Sequence, residues 1–205
     1  MLVIFDLDGT LFQAKPVIMC AITQLMRELG LPAPDAADLQ KSAPQGALSM
    51  LKHILGDDAD AHLPLYKALL RETITDTGEL FPGVRESLER LKGEGHELII
   101  CSNSPEEYIA LVLESTGIAK FISRYYSAGT YPSKAKLISE LIKPGVHAVV
   151  VGDTHGDVEA AHSNGLPAIA AMYGYGNKQM LAKADAFAYS ADEIPNVLYN
   201  LTSNH

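Results

Sequence analysis

"VIFDLDGTLF", residues 3–12, runs from an apolar segment straight into two carboxylates, Asp6 and Asp8, with Gly9 and Thr10 behind them. The apolar half reads as a buried β-strand. Side chains at i and i+2 of an extended segment face the same way, so Asp6 and Asp8 are expected to share one reaction centre. Negative charge at the end of a buried strand needs a reason. In a parallel α/β sheet, ligands bind beyond the carboxyl ends of the strands.

Working outward, further apolar runs end in polar clusters and lead into helix-like patterns. "ELIIC" (97–101) ends at Ser102 and Asn103, with Pro105 suited to the first turn of a helix. "RYYSA" (124–128) is a weaker strand, followed by "GTYPSKAKLISELI" with Lys134 at the helix start. "HAVVVG" (147–152) ends at "DTHGD", which carries Asp153 and Asp157. "AIAAM" (168–172) is a further strand and "AFAYS" (186–190) an edge strand. "ELIIC" and "HAVVV" are apolar without alternation, as strands covered on both faces are. The alternation predicts an α/β fold with a Rossmann-like parallel sheet.

One region has no strand candidate. Val17, Ala21, Leu25 and Leu29 recur at helical spacing, with Pro16 near the start and Gly30 at the end. Leu48, Leu51 and Leu55 continue the pattern, as do Leu65, Leu69 and Leu70. The expected organisation is a core domain of residues 1–14 and 80–205, with an all-helical domain of three to five helices inserted at 15–79. "LFPGV" (80–84) is the hinge back to the sheet.

The 205 residues carry a formal charge of −9 and no Lys/Arg block, which argues against nucleic acid as a partner. Cys20 and Cys101 have no metal-ligand spacing and form no disulfide framework. "MLVIFD" has no basic leader and no apolar run has the length of a membrane span, so a cytoplasmic protein without a membrane partner is expected.

Four carboxylates (Asp6, Asp8, Asp153, Asp157), the Ser102 hydroxyl and Lys134 can therefore face one crevice. Clustered carboxylates repel one another unless a cation holds them, and all-oxygen ligation suits Mg²⁺. Lys136 competes with Lys134, but Lys134 follows Ser133 at the start of the helix. An aspartate pair can divide labour between nucleophile and proton donor. A calcium loop of the EF-hand type is excluded, because its fifth position is Thr10 and its twelfth is Val17. Structural roles compete at the other strand end, where Asp153 and Asp157 fit a helix N-cap and a first-turn acid. His155 is expected to be only a neighbour in that turn, Cys101 a packing residue, and "GYG" (174–176) a flexible loop.

"DLDGT" (6–10), "CSNS" (101–104), "SK" (133–134) and "GDTHGD" (152–157) together resemble, in order, the four motifs of the haloacid dehalogenase (HAD) superfamily. The resemblance implies that Asp6 is the nucleophile and that Asp8 protonates the leaving alcohol and then activates water. It implies that Ser102 and the Asn103 amide bind the phosphoryl group and that Lys134 neutralises its charge. Mg²⁺ would be held by Asp6, Asp153 and the backbone carbonyl of Asp8, with Asp157 acting through water or orienting Lys134. An acid at Asp8 points to phosphate monoesters rather than halides. The place of the insertion resembles a C1 cap, which implies a small phosphorylated metabolite as substrate. Lys15 and "APQGA" (43–47) are then candidates to touch the leaving group, and the tail 171–198 resembles phosphoglycolate phosphatases. A phosphomutase of the same superfamily and a receiver-like signalling domain are the alternative readings.

Overall fold

Six short apolar runs line up side by side in a computed structural model that describes residues 1–34, 47–143 and 145–203. They are β1 (Leu2–Phe5), β2 (Glu97–Ser102), β3 (Arg124–Ser127), β4 (Ala148–Gly152), β5 (Ala168–Ala171) and β6 (Ala186–Ala188). All pairings are parallel and the order is β3-β2-β1-β4-β5-β6. β1 is central and buried throughout, as its unbroken apolar run requires. The weakly apolar β3 and the three-residue β6 lie at the edges, where one face of hydrogen bonding is lost.

Register fixes what the strands present. Phe5 is level with Ile100 on β2 and with Val151 on β4. The residues that follow therefore leave the sheet along one edge: Asp6, then Cys101 and Ser102, then Gly152 and Asp153. The chain reverses its winding between β1 and β4, which is where a sheet of this order opens a crevice.

Helices connect the strands. They are α4 (Val84–Gly93), α5 (Glu106–Ser115), α6 (Lys134–Leu141), α7 (His155–His162), α8 (Lys178–Leu181) and α9 (Ile194–Ser203), numbered after the three helices among the described residues of the insert. Ser133 caps α6, accepting from the Lys136 amide at 3.1 Å. Pro105 sits at the N-cap of α5, one residue before the first turn that its fixed φ suggested. One apolar cluster joins the sheet to α6 and α7 through Ile4, Leu137, Val150 and Val158.

Two compact units emerge: Met1–Gln13 with Glu79–His205, and Ala14–Gly78. The second is helical, with α1 (Ala14–Glu28), α2 (Ala47–Leu55) and α3 (Ala59–Thr77). Its core gathers Ala21, Ile22, Leu25, Met26, Met50, Leu51, Ala59 and Tyr66. The inward stripe of α3 differs from the leucine pattern. Leu65 is 38% exposed, while Tyr66 and Ile74 are buried, so the face is set by Ala59, Tyr66 and Thr73 at seven-residue spacing. The side chain of Leu48 and residues 43–46 of "APQGA" lie outside the described residues. In the first unit, the segment before the insert and the segment after it pair locally, with an isolated antiparallel bridge between Phe12 and Leu80. Gln13 donates to the Glu79 carbonyl at 2.9 Å, and its side chain donates to the Leu80 carbonyl at 2.8 Å. Among the described residues no helix is long and apolar enough to cross a membrane.

Candidate active site

The loop after β1 is built around one carbonyl. Leu7 O accepts from the amides of Thr10, Leu11 and Phe12 at 3.3, 2.9 and 2.9 Å, which turns the chain sharply just past Asp6. Gly9 takes φ +89° there, and a Cβ at this position would overlap the Asp153 carboxylate. Only glycine meets both demands. The close approach brings the loop onto the end of β4. Thr10 Oγ1 donates to Asp153 Oδ1 at 3.2 Å and the Tyr175 amide donates to Oδ2 at 2.7 Å.

Asp6, Asp153 and Asp157 converge. Each offers a carboxylate oxygen, the three oxygens lie within 4.8 Å of one another, and all three residues are buried. Lys134 Nζ reaches into the group, donating to Asp6 Oδ1 at 2.7 Å and to Asp157 Oδ1 at 2.5 Å. The other oxygen of Asp157 accepts from the Thr154 amide at 3.0 Å and the Thr154 hydroxyl at 2.6 Å. This is a capping box at the start of α7. Thr154, not Asp153, is thus the N-cap, and Asp157 is at once a first-turn acid and a partner of Lys134.

Electrostatics follow from burial. Burial pushes the Asp6 carboxyl up to about 8; Lys134 pulls it down, while Asp157 and Asp153 push further up. Burial raises Asp153 to about 6 against the pull of the Tyr175 amide. Burial works to neutralise Lys134, but Asp157 and Asp6 more than offset it, so its pKa is raised and it stays charged. Lys134 pairs with two of the three carboxylates, so the fully ionised group keeps two net negative charges for a divalent cation to balance. The donor set is all oxygen, with no sulfur or imidazole among the three, and so fits a hard ion such as Mg²⁺.

Asp8 points elsewhere. Its Oδ2 accepts from Ser104 Oγ at 2.7 Å and its Oδ1 from Tyr108 Oη at 2.9 Å. Its carboxylate is outside the three-acid group. Burial raises its pKa, with Ser104 and Tyr108 pulling the other way. Ser102 is buried at the end of β2, and its Oγ accepts from the Ser104 amide at 3.2 Å. Asn103 is exposed and lines a cavity of about 640 Å³ with Ser133, Lys134, Thr154 and Asp157. Lys136 faces away from this centre; its Nζ pairs with Glu140 at 3.1 Å, and both side chains are about half exposed. His155 lies against Glu159 at 2.9 Å. Cys101 is packed, and burial pushes its thiol up to about 12.

The sequence reading passed over several of these residues. Thr10 on Asp153 and Ser104 on Asp8 lie inside "DLDGT" and "CSNS" but were given no role of their own, and Tyr108 lies outside every motif. "GYG" is packed against the site: a Cβ at Gly174 would overlap Asp153 and the Gly9 carbonyl, and one at Gly176 would overlap the Asp153 carbonyl. Tyr173 Oη also donates to the Thr10 carbonyl at 2.8 Å. The cluster of three small or aromatic residues was the available signal, since glycines recur where backbone passes close to a site.

The chain is similar to known proteins over most of its length. It is 31% identical over 192 residues to the phosphoglycolate phosphatase of Pseudomonas putida, covering 85% of this chain and 70% of that one. With the phosphoglycolate phosphatase of Yersinia pseudotuberculosis it shares 30% identity over 213 residues, covering 95% and 92%. A crystal structure of a predicted phosphoglycolate phosphatase from Haemophilus somnus superposes with a TM-score of 0.77 at 24% identity, covering 96% and 97%, and shares the fold. The model of the haloacid dehalogenase-like hydrolase family matches residues 3–171, a span that takes in the loop after β1, the insert, and the strand ends of β2 and β4. That span is most of the molecule, and by it the chain belongs to the haloacid dehalogenase-like hydrolases.

Proposed function

We propose that the protein is a Mg²⁺-dependent phosphatase of small phosphate monoesters, phosphoglycolate among them, working through an aspartyl phosphate on Asp6. The observation that carries this reading is the convergence of Asp6, Asp153 and Asp157 on one buried point beside Lys134. The phosphatase relatives give it a reaction.

An Asp6 oxygen forms a bond to phosphorus as the ester P–O bond breaks. The departing alkoxide takes a proton from Asp8, whose raised pKa suits an acid in this step. Asp8, now a carboxylate, takes a proton from water as that water attacks phosphorus. Phosphate leaves, and Asp6 is regenerated. Lys134 holds Asp6 in place and stays charged against the phosphoryl oxygens. Ser102 and the Asn103 amide are assigned to a phosphoryl oxygen. A Mg²⁺ held by Asp6 and Asp153, with the Asp8 carbonyl and Asp157 nearby, would supply charge neutralisation of the transferring group. The helical insert is assigned the choice of leaving group, as a cap.

The test is phosphate release from a panel of small monoesters, with Mg²⁺, with chelator, and with Asp6→Asn. Turnover is expected with Mg²⁺ alone, and a loss of about 10³-fold or more in the variant. Movement of the phosphoryl group within a sugar phosphate, without release, would replace hydrolysis by mutase chemistry. A stable phosphoenzyme without turnover would replace it by signalling.

A further inference from the structure

Among the described contacts Lys134 bonds Asp6 and Asp157 but not Asp8, whose carboxylate also stands outside the three-acid group. Its two oxygens are instead each held by a hydroxyl, and both hydroxyls come from one short segment about a hundred residues away. Ser104 lies just past the end of β2, and Tyr108 is the third residue of α5. Pro105 fixes the turn between them, and its carbonyl accepts from the Tyr108 amide at 3.0 Å. The Ser104 amide donates to Ser102 Oγ at 3.2 Å. One rigid turn therefore touches both Ser102 and Asp8.

A carboxylate has roughly four lone-pair directions, two on each oxygen. Ser104 and Tyr108 occupy one on each, from the same side of the chain. The carboxyl plane is thereby fixed, and one lone pair on each oxygen is left for a mobile proton. A proton in flight needs a donor held to within a fraction of an ångström and a few tens of degrees. A single hydroxyl would leave the carboxyl free to rotate about its Cβ–Cγ bond, whereas two on different oxygens stop that rotation.

We propose that Ser104 and Tyr108 are positioning residues for the proton transfers of Asp8, aiming its carboxyl at the leaving oxygen of the phosphoryl group that Ser102 is assigned to bind. This rests on the phosphatase reading above. It predicts that the two hydroxyls matter in proportion to the leaving group's need for a proton. An alkoxide cannot leave without one. A p-nitrophenolate, stable near neutral pH, can.

The experiment compares kcat/KM for an alkyl phosphate with kcat/KM for p-nitrophenyl phosphate, in wild type, Ser104→Ala, Tyr108→Phe and the double variant. This constant covers steps only up to leaving-group departure, so the later water attack does not enter. The alkyl value should fall about tenfold or more in each single variant and the aryl value less than about threefold, within the range that general acid catalysis contributes. Ser104→Thr, which keeps a hydroxyl, should recover most of the alkyl rate. In an Asp8→Asn background, adding Tyr108→Phe should no longer change the alkyl-to-aryl ratio. Equal losses on both substrates would mean that the hydroxyls only support the fold, and no loss on either would mean that they are idle; both overturn the proposal. Wild type that cleaves neither substrate in Mg²⁺ would instead remove the phosphatase reading, and this proposal with it.

Discussion

At Gly9 a backbone angle and a close contact make the same demand. The residue sits at φ +89° with its Cα facing the Asp153 carboxylate, so Gly9→Ala both strains the turn and pushes a proposed metal ligand aside. The strain alone should cost roughly 1–3 kcal/mol in urea unfolding. The displacement should show separately, as a loss of most of the stabilisation that Mg²⁺ gives the wild type. If Gly9→Ala melts lower but gains as much from Mg²⁺ as wild type, the contact with Asp153 is not what the glycine serves. Residue type was legible wherever the chemistry dictates it: Asp6, Ser102, Lys134, Asp153 and Asp157 each stand at the end of an apolar run or the start of a helix. The contacts of Ser104 and Tyr108 with Asp8 were not legible, even with Ser104 inside "CSNS", because a hydroxyl that reaches a carboxylate about a hundred residues away has no local pattern. Tyr175 acts through its backbone amide, which leaves no mark on residue choice at all.

The helix α7 shows how an element serves the site. Thr154 caps it and also holds Asp157, so the same hydroxyl ends a helix and fixes a partner of Lys134. Thr154→Ala should cost about 1 kcal/mol of stability through the cap. It should also weaken turnover, because Asp157 loses one of its anchors; Thr154→Ser should restore both. Lys136→Ala on α6 is the matched control. Its exposed pair with Glu140 is worth at most about 0.5 kcal/mol, so stability and turnover should stay close to wild type. Elements were readable to the extent that one periodicity ruled them. α1 follows its apolar stripe, with Val17, Ala21 and Leu25 buried. α3 does so only in part: Leu69 and Leu70 pack against the core, but Leu65 faces out and the buried positions go to Ala59, Tyr66 and Thr73. The sheet order was out of reach of local pattern, since β1 pairs with strands that begin at Glu97 and Ala148.

For the whole molecule the buried acids predict a pH dependence. In the folded chain Asp6 holds its proton up to about 8 and Asp153 up to about 6, whereas both let go near 3.8 when unfolded. Between those values the folded state binds more protons, so stability falls as pH rises. In chelator, urea unfolding should show stability dropping from about pH 4, with the Asp153 contribution complete near 6 and that of Asp6 near 8. A cation that keeps these carboxylates ionised removes the difference. The stabilisation by Mg²⁺ should therefore be larger at pH 8 than at pH 5.5. Equal stabilisation at the two pH values would show that these acids do not bind the ion.

The central place of β1 also bears on how the chain is made. Both sheet neighbours of Leu2, at Glu97 and Ala148, are synthesised after it, with the helical insert in between. At translation rates of about 5–20 residues per second, an apolar "LVIF" waits on the order of ten seconds for its second partner. An unpaired strand of that kind is a template for pairing with other nascent chains. Charges beside an apolar strand act as gatekeepers against such pairing. Asp6 and Asp8 stand in that position, so the two carboxylates proposed as reacting groups also put charge at the end of the strand while its partners are still unmade.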